Sequence, residues 1–500
     1  MNWASSICIA LGFSETRELL ATACREAENG ETFLEFRLDY LRRPEEGPRA
    51  IRAFLKDHPE CTVLATCRRR QNHGKFSGGV EEQLCLLEAA IQAGARAVDL
   101  EIETVESSGA LLSTLSSGAK VVVSYHNFEG TPPMEPVLRR LLRHPADAHK
   151  LVATARKPSD IHRILAVARA HPRGRIIAFS MGEIGFPSRV IAPAFGGLFT
   201  YAAPASAEGT APGQVDARAL RRLYRLEKLT RSSRTYGVIA DPVGHSISPA
   251  VHNRAFQSRR ADAVYLPFLV ASPQLKDFMQ LAIKLPIAGF SVTIPHKQKI
   301  LRYLDSVDPL ARRIGAVNTV WRKAGKWRGL NADAPAVIAP LARLRRLAKA
   351  SVLLIGSGGA ARAAAFALAD AGARVSIVGI ELDQVRALAR ASGGEMLLQE
   401  QLGKLYFDVV VHATPLGMHP RVEGCYFPDR IPADIVLDMV YNPLETLLLR
   451  RAREQGKTVI PGIQMFLEQA ARQFEVWTGD SAPRSVMERA AREALGAPRT

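Results

Sequence analysis

The chain has 500 residues, of which 47% are apolar and 23% charged, globular proportions that exclude long disordered tracts. A single hydrophobic core rarely grows beyond roughly 250 to 300 residues, so this length demands at least two domains. Lys+Arg 66 against Asp+Glu 49 leaves a net charge of +17, which keeps nucleic acid, anionic membranes and small acidic substrates open as partners.

The six cysteines (Cys8, Cys24, Cys61, Cys67, Cys85 and Cys425) form no CxxC pair and no ligand-spaced cluster. That spacing argues against a metal site or a disulfide framework and for a reducing, cytoplasmic compartment. No apolar run reaches the roughly 18 residues of a spanning helix, and no basic stretch precedes the apolar residues of the N-terminus. Neither a membrane span nor a signal peptide is expected.

In chain order, β-rich runs recur at 6–11, 33–41, 62–68, 97–102, 121–126, 149–153, 175–180 and 198–202, with helix-like segments such as 81–93 and 160–170 between them. Eight alternating units predict a (β/α)8 barrel over residues 1–229. The competing fold, an open doubly wound sheet, would need a glycine-rich first turn that this half lacks. Barrel strands are apolar except toward the active-site face, yet here Glu35, Arg37 and Asp39 share one run. Arg68, Asp99, Glu101, His126, Lys150 and Ser180 fall late on others. A lone strand-end lysine is usually solvated and a lone histidine usually structural. Converging from several strands, they predict a site. A lysine desolvated inside a barrel becomes a nucleophilic amine, a neutral histidine moves protons near pH 7, and arginines clamp a carboxylate. That set suits a carbonyl substrate held as a Schiff base.

The ordered motifs Glu35-Phe36-Arg37-Leu38-Asp39, Thr66-Cys67-Arg68, Asp99-Leu100-Glu101, Ser124-Tyr125-His126, Lys150-Leu151, Ser180-Met181-Gly182, Ser188-Arg189 and Ala211-Pro212-Gly213-Gln214 resemble the type I 3-dehydroquinate dehydratase family. The resemblance implies that Lys150 forms the imine and His126 is general base and then acid. It implies that Glu35, Arg37, Arg68, Arg189, Thr210 and Gln214 bind substrate. One departure stands out. The family carries a glutamate that orients the catalytic histidine, and Asn72 takes its place here. An amide can bond an imidazole but cannot stabilise imidazolium by charge.

A basic helix is predicted over 216–229 and a short linker over 230–235. A new strand series then begins. The run Ser351 to Ile355 enters the glycine turn Gly356-Ser357-Gly358-Gly359-Ala360 before an alanine-rich segment, a strand–turn–helix pattern that predicts a Rossmann-type domain over 336–460. Residues 236–335, completed by 461–500, are expected to form an αβ substrate domain. Reduction of a ring ketone needs hydride at carbon and a proton at oxygen, and a lysine beside an aspartate, Lys297 and Asp333, suits the proton step. Separately, each reads as a surface charge or a cap, and Ser246 and Ser248 read as helix caps before Pro249.

The series Gly244-His245-Ser246-Ile247-Ser248-Pro249, Val292-Thr293 through Lys297, Gly315 through Thr319, Asn331-Ala332-Asp333, Met439 through Pro443 and Gln464 through Gln469 resembles the shikimate dehydrogenase family. It implies that Ser246, Ser248, Thr293, Asn318, Tyr441 and Gln469 bind shikimate. It also implies that NADP is held by Gly356, Ser357, Gly358, Gly359, Ala360, Thr414, Met439 and Gly462. Ser291 stands where many relatives have Asn. At Gly379-Ile380-Glu381 the usual Asn-Arg-Thr/Ser is missing. Glu381 could accept a ribose 2′-hydroxyl, favouring NAD, or cap the next helix, while Arg386 could still reach a phosphate.

The expected product of the first half, 3-dehydroshikimate, is the expected substrate of the second. The whole chain therefore resembles a bifunctional enzyme known from plants and some bacteria. A quinate- or shikimate-sensing regulator, a chain active in the dehydrogenase half only, and a second half that prefers quinate are the alternatives. A sensor has no need of Lys150, His126, Lys297 and Asp333. Partners are expected to be small molecules, without nucleic acid or membrane.

Overall fold

The computed structural model describes residues 3–108, 115, 118–171, 175–205, 209–211 and 213–496. The chain divides into two compact units, one made of Met1–Ser233 with Phe268–Val270 and Lys276–Pro286, the other of the rest from Arg234 onward.

The first unit carries one eight-stranded sheet: β1 (Ile7–Leu11), β2 (Phe33–Arg37), β3 (Thr62–Thr66), β4 (Ala97–Glu101), β5 (Lys120–Asn127), β6 (Ala148–Thr154), β7 (Ile176–Met181) and β8 (Thr200–Ala202). The order is β7-β6-β5-β4-β3-β2-β1-β8, with β8 parallel to β1. The two edges are thus the last two strands, and Leu198 N donates to Ile176 O (2.9 Å) across them, drawing the sheet round into a barrel. No reversal of strand order occurs, which removes the open doubly wound alternative.

Three local expectations change. The strand expected over 33–41 stops at Arg37, because Arg37 turns back onto Asp39 with paired bonds (Nε and Nη2, each 2.9 Å) and Leu38–Tyr40 coils into a 3-10 turn. The helix expected over 216–229 is broken. Ala219–Leu223 is a π turn, Arg225 is left-handed (φ 51°), and Leu226–Lys228 is a 3-10 turn. Arg221 bridges the kink, bonding Glu31 (2.9 and 2.8 Å) and Glu227, so ion pairs replace helical continuity. The expected linker shortens as well, since the next strand already starts at Arg234.

The second unit has two six-stranded sheets. The first joins β9 (Arg234–Ala240), β10 (Ala263–Leu269), β11 (Ile287–Val292), β12 (Ser306–Val307), β13 (Thr319–Lys323) and β14 (Lys326–Leu330) in the order β10-β9-β11-β13-β14-β12. The pair β11–β9 is parallel and β11–β13 antiparallel, so this sheet is mixed. The second comprises β15 (Ser351–Ile355), β16 (Arg374–Val378), β17 (Glu395–Met396), β18 (Phe407–His412), β19 (Ala433–Asp438) and β20 (Thr458–Ile460). Its order is β17-β16-β15-β18-β19-β20, all parallel, the doubly wound arrangement whose ligand crevice lies where strand order reverses, between β15 and β18.

Strand alternation explains its two cores. Val352 and Leu354 join one apolar cluster with helix Gly359–Asp370, while Leu353 and Ile355 join another with helix Leu447–Glu454. Helix Gly462–Thr478 then returns toward the mixed sheet, where Trp477 Nε1 donates to Val320 O (3.0 Å). Helix Arg484–Ala494 packs on helix Ser248–Ser258, and residues 497–500 lie outside the described residues.

Candidate active sites

In the barrel, β5 and β6 set the central pair. Ser124 is in register with Lys150, and His126, two residues on, projects to the same side of the sheet as Ser124. Lys150 is sealed in, only 3% exposed, but its surroundings are not the apolar well that the sequence suggested. Its Nζ donates to Asp99 Oδ2 (2.8 Å) and to the Tyr201 hydroxyl (3.0 Å), while Ser124 Oγ donates to Asp99 Oδ1 (2.7 Å). Burial works against ionising Asp99, yet Lys150, Arg68 and the two hydrogen bonds outweigh it and hold the carboxyl below its ordinary value.

The His126 Nε2 lies 3.0 Å from Arg68 Nη2. A guanidinium can only donate, so Nε2 is the acceptor and the ring is neutral. Burial first, then the positive charges of Arg68 and Lys150, push its proton affinity well below the usual imidazole range. Around this pair, Glu35 accepts from Thr66 Oγ1 (2.7 Å), and Arg68 Nε lies 3.9 Å from Glu101. Arg189 is buried over the Phe179 ring (4.7 Å to the centroid), and burial pushes its guanidinium down to about 9. Thr210 and Gln214 sit in the loop after β8, Oγ1 to Oε1 3.5 Å. The Tyr40 hydroxyl reaches Thr210 O (3.5 Å), and the Tyr40 ring lies 4.7 Å from the Arg37 guanidinium.

Asn72 makes no side-chain hydrogen bond through Nδ2 among the described residues. It closes the 3-10 turn Arg70–Asn72, while Arg68 occupies His126 Nε2. His73 follows in the left-handed region (φ 60°), its ring 4.4 Å from Phe128.

In the second unit, Lys297 Nζ donates to Asp333 Oδ2 (2.5 Å), and Asn318 Nδ2 donates to Asp333 Oδ1 (2.8 Å) and toward Gln469 Oε1 (3.4 Å). Asn318 is itself fixed by Ala332 N and Thr319 Oγ1, each 2.8 Å from its Oδ1. Ser246 Oγ accepts from Ser248 N (3.3 Å), a cap-like bond at the start of helix Ser248–Ser258. Thr293 is half-buried at the end of β11, and its carbonyl accepts from His296 N (2.8 Å). The Tyr441 ring lies 4.7 Å from Phe466, and burial pushes its phenol up to about 12.

The turn after β15 fits a pyrophosphate. Gly356 has φ 119°, and a side chain there would begin 3.0 Å from Ala413 O and 3.1 Å from Thr414 Cγ2. Gly358 has open space, and helix Gly359–Asp370, whose first turn includes Ala360, presents its N-terminus. A side chain on Gly359 would begin 3.2 Å from Lys297 Cδ, which puts the glycine turn beside the lysine. Ser357 Oγ donates to Gln384 Oε1 (3.3 Å), and Met439 N donates to His412 O (2.9 Å). Gly462 admits no other residue, since a Cβ would lie 2.3 Å from Val440 O. Glu381 is exposed and makes no side-chain cap bond, and Arg386 is paired with Asp383 (3.0 Å).

Sequence reasoning missed Tyr201, which reads as a core aromatic in an apolar run. It also missed Gln473, which links Ser291 Oγ (2.8 Å) to Asn318 O (3.1 Å) and Thr319 Oγ1 (3.2 Å). Its position four residues after Gln469, on the same helix face, was the available signal.

The sequence model of type I 3-dehydroquinase matches residues 7–231, that of the shikimate dehydrogenase substrate binding domain 238–320, and that of the shikimate 5′-dehydrogenase C-terminal domain 462–492. A chloroplastic bifunctional 3-dehydroquinate dehydratase/shikimate dehydrogenase of Arabidopsis thaliana is 33% identical over 509 residues, covering 96% of this chain and 83% of the relative. The chain belongs to the bifunctional 3-dehydroquinate dehydratase/shikimate dehydrogenase family. It is a shikimate-pathway enzyme with a lyase half and an oxidoreductase half. The oxidoreductase half is 42% identical over 257 residues to a shikimate dehydrogenase (NADP(+)) of Bacillus cereus, covering 49% of this chain and 92% of the relative. It also resembles a solved shikimate dehydrogenase in complex with NADP+, with TM-score 0.51 and 34% identity over 53% of this chain and 97% of that one. Among the described residues no helix is long and apolar enough to cross a membrane.

Proposed function

We propose that Lys150, salt-bridged to Asp99 at rest, condenses with the ketone of 3-dehydroquinate to give a protonated imine and water. His126 then takes a proton from the adjacent carbon and returns it to the departing hydroxyl, and hydrolysis of the imine releases 3-dehydroshikimate. The observation that carries this reading is the placement of a sealed lysine and a neutral histidine on adjacent strands, within one ring of cations. Glu35, Arg37, Arg68, Arg189, Thr210 and Gln214 bind the hydroxyls and carboxylate. Arg37 and Arg189 are buried, where a paired carboxylate is held most tightly. Borohydride treatment with 3-dehydroquinate should trap a covalent adduct on Lys150. Absence of the adduct in active enzyme sinks the reading.

In the oxidoreductase half, residues 236–335 with 461–500 hold the substrate and 336–460 the dinucleotide. A bound nicotinamide cofactor supplies hydride. Lys297 and Asp333 hold the substrate hydroxyl and move its proton, and Asn318 fixes Asp333 for that task. Ser246 and Ser248 take the carboxylate, while Thr293, Asn318, Tyr441 and Gln469 take the ring hydroxyls. Gly356, Ser357, Gly358, Gly359 and Ala360 cradle the pyrophosphate, with Thr414, Met439 and Gly462 along the same edge.

The cofactor reading is NADP, with NAD accepted unusually well. The support is local electrostatics: Glu381 is free of capping duty, and Arg386 is engaged by Asp383. The ratio of kcat/KM for NADP over NAD should fall within about tenfold of unity, since a single 2′-phosphate clamp is worth on the order of 1–3 kcal/mol. A preference above a thousandfold contradicts it. Action in a reducing, cytoplasmic setting fits six cysteines that all stand as free thiols.

A further inference from the structure

At the C-terminal ends of β18 and β19, His412 and Asp438 stand in register beside the point where strand order reverses. Both are buried, and neither has a part in the chemistry above. Hydrogen bonds run through them in one direction. Asp438 Oδ2 accepts from Thr446 Oγ1 (2.6 Å), and its Oδ1 accepts from Val440 N (3.0 Å) and lies 2.8 Å from His412 Nδ1. His412 Nε2 lies 2.5 Å from Thr414 Oγ1, which also accepts from Leu416 N (3.2 Å).

The proton positions follow from chemistry. An ionised carboxylate only accepts, so Nδ1 of the imidazole carries a proton, and in the neutral ring Nε2 accepts from the Thr414 hydroxyl. The single hydroxyl proton of Thr414 is therefore spent inward, and Leu416 takes one lone pair. One lone pair remains for anything arriving from the crevice. The Thr414 methyl faces the glycine turn, 3.1 Å from where a Gly356 side chain would begin.

We propose that His412, held by Asp438 and Thr446, is a positioning residue for the dinucleotide. It fixes Thr414 so that the hydroxyl meets the cofactor as an acceptor. Thr414 then pairs with a donor on the cofactor, a ribose hydroxyl or a carboxamide N–H, and not with a phosphate oxygen. This deepens the reading of the β15–β18 crevice as the cofactor edge and rests on it.

The test is steady-state kinetics of the full-length enzyme with shikimate and NADP or NAD. His412→Ala should raise the dinucleotide KM about tenfold, the scale of one or two hydrogen bonds, with kcat within about twofold and the shikimate KM unmoved. Thr414→Val should raise it similarly, and the double variant should be no worse than the poorer single one. Thr446→Val, which removes only the far bond to Asp438, should give a smaller rise in the same constant. It keeps the proposal testable if His412→Ala does not fold. Additive effects in the double variant, or a rise in the shikimate KM equal to that for the dinucleotide, overturn the positioning role. An unchanged dinucleotide KM in Thr414→Val overturns the underlying reading of the cofactor edge as well.

Discussion

Both halves use a lysine bonded to an aspartate, and they seal it to different degrees. The Lys150–Asp99 side chains are 4% and 1% exposed, while Lys297–Asp333 are 14% and 6% exposed and lie beside the glycine turn. The barrel pair is buried among the strands, which suits the imine chemistry proposed for Lys150. The dehydrogenase pair stands at a crevice, where a proton relay must meet a substrate and a cofactor that come and go. On the proposed mechanisms, one motif serves nucleophilic and acid–base chemistry according to what surrounds it.

The largest expected effect separates the two lysines. Lys150→Ala should lower dehydratase kcat by about 10^4-fold or more, because no imine can form, while Lys297→Ala should lower dehydrogenase kcat by about 10^2- to 10^4-fold, the range of a lost general acid. Equal effects of the two variants would break the comparison. Next comes stability. Asp99→Ala strands a buried cation and should cost about 3–5 kcal/mol in denaturant unfolding of the first unit. Asp333→Ala should cost less, because its lysine is more exposed.

A third prediction concerns pH. His252, stacked on Tyr265 at 4.5 Å, is pushed down to about 3 by burial. The unfolded chain binds its proton below about 6.5, the folded chain only near 3, so stability falls as pH drops through that window. At pH 5 the loss should be about 2 kcal/mol. In His252→Phe the Tm of the second unit should depend less on pH between 7 and 4.5. The smallest effect is expected at Asn72. Asn72→Glu adds a negative charge on the turn that follows Arg68, the residue bonded to His126 Nε2, and should move the acid limb of dehydratase kcat/KM to higher pH. An unmoved limb means that Asn72 does not address the histidine.

The barrel was legible because β-rich runs and helical segments alternate eight times, and because charged residues inside buried strands have no structural excuse. Lys150 and His126 could be grouped from sequence, since each is a polar residue late on a buried strand run, the end where a barrel carries its site. Asp99 was visible only as a polar strand residue, and Tyr201 not at all, because a phenol in an apolar run looks like packing. The break at Arg225 was illegible for a related reason. It is made by Arg221 reaching Glu31, 190 residues away, and local propensity carries no trace of that contact. The Rossmann turn was the clearest local signal, yet the role of His412 depends on register with β19, which no local pattern reveals.

The central claim is that both sites work in one chain, the first making the substrate of the second. Supplying 3-dehydroquinate with NADPH or NADH and following cofactor oxidation tests it most directly. Sustained oxidation is expected from the intact enzyme, with none from Lys150→Ala, which should still oxidise cofactor when given 3-dehydroshikimate. Oxidation of cofactor by Lys150→Ala with 3-dehydroquinate, or none by the intact enzyme, would contradict the account.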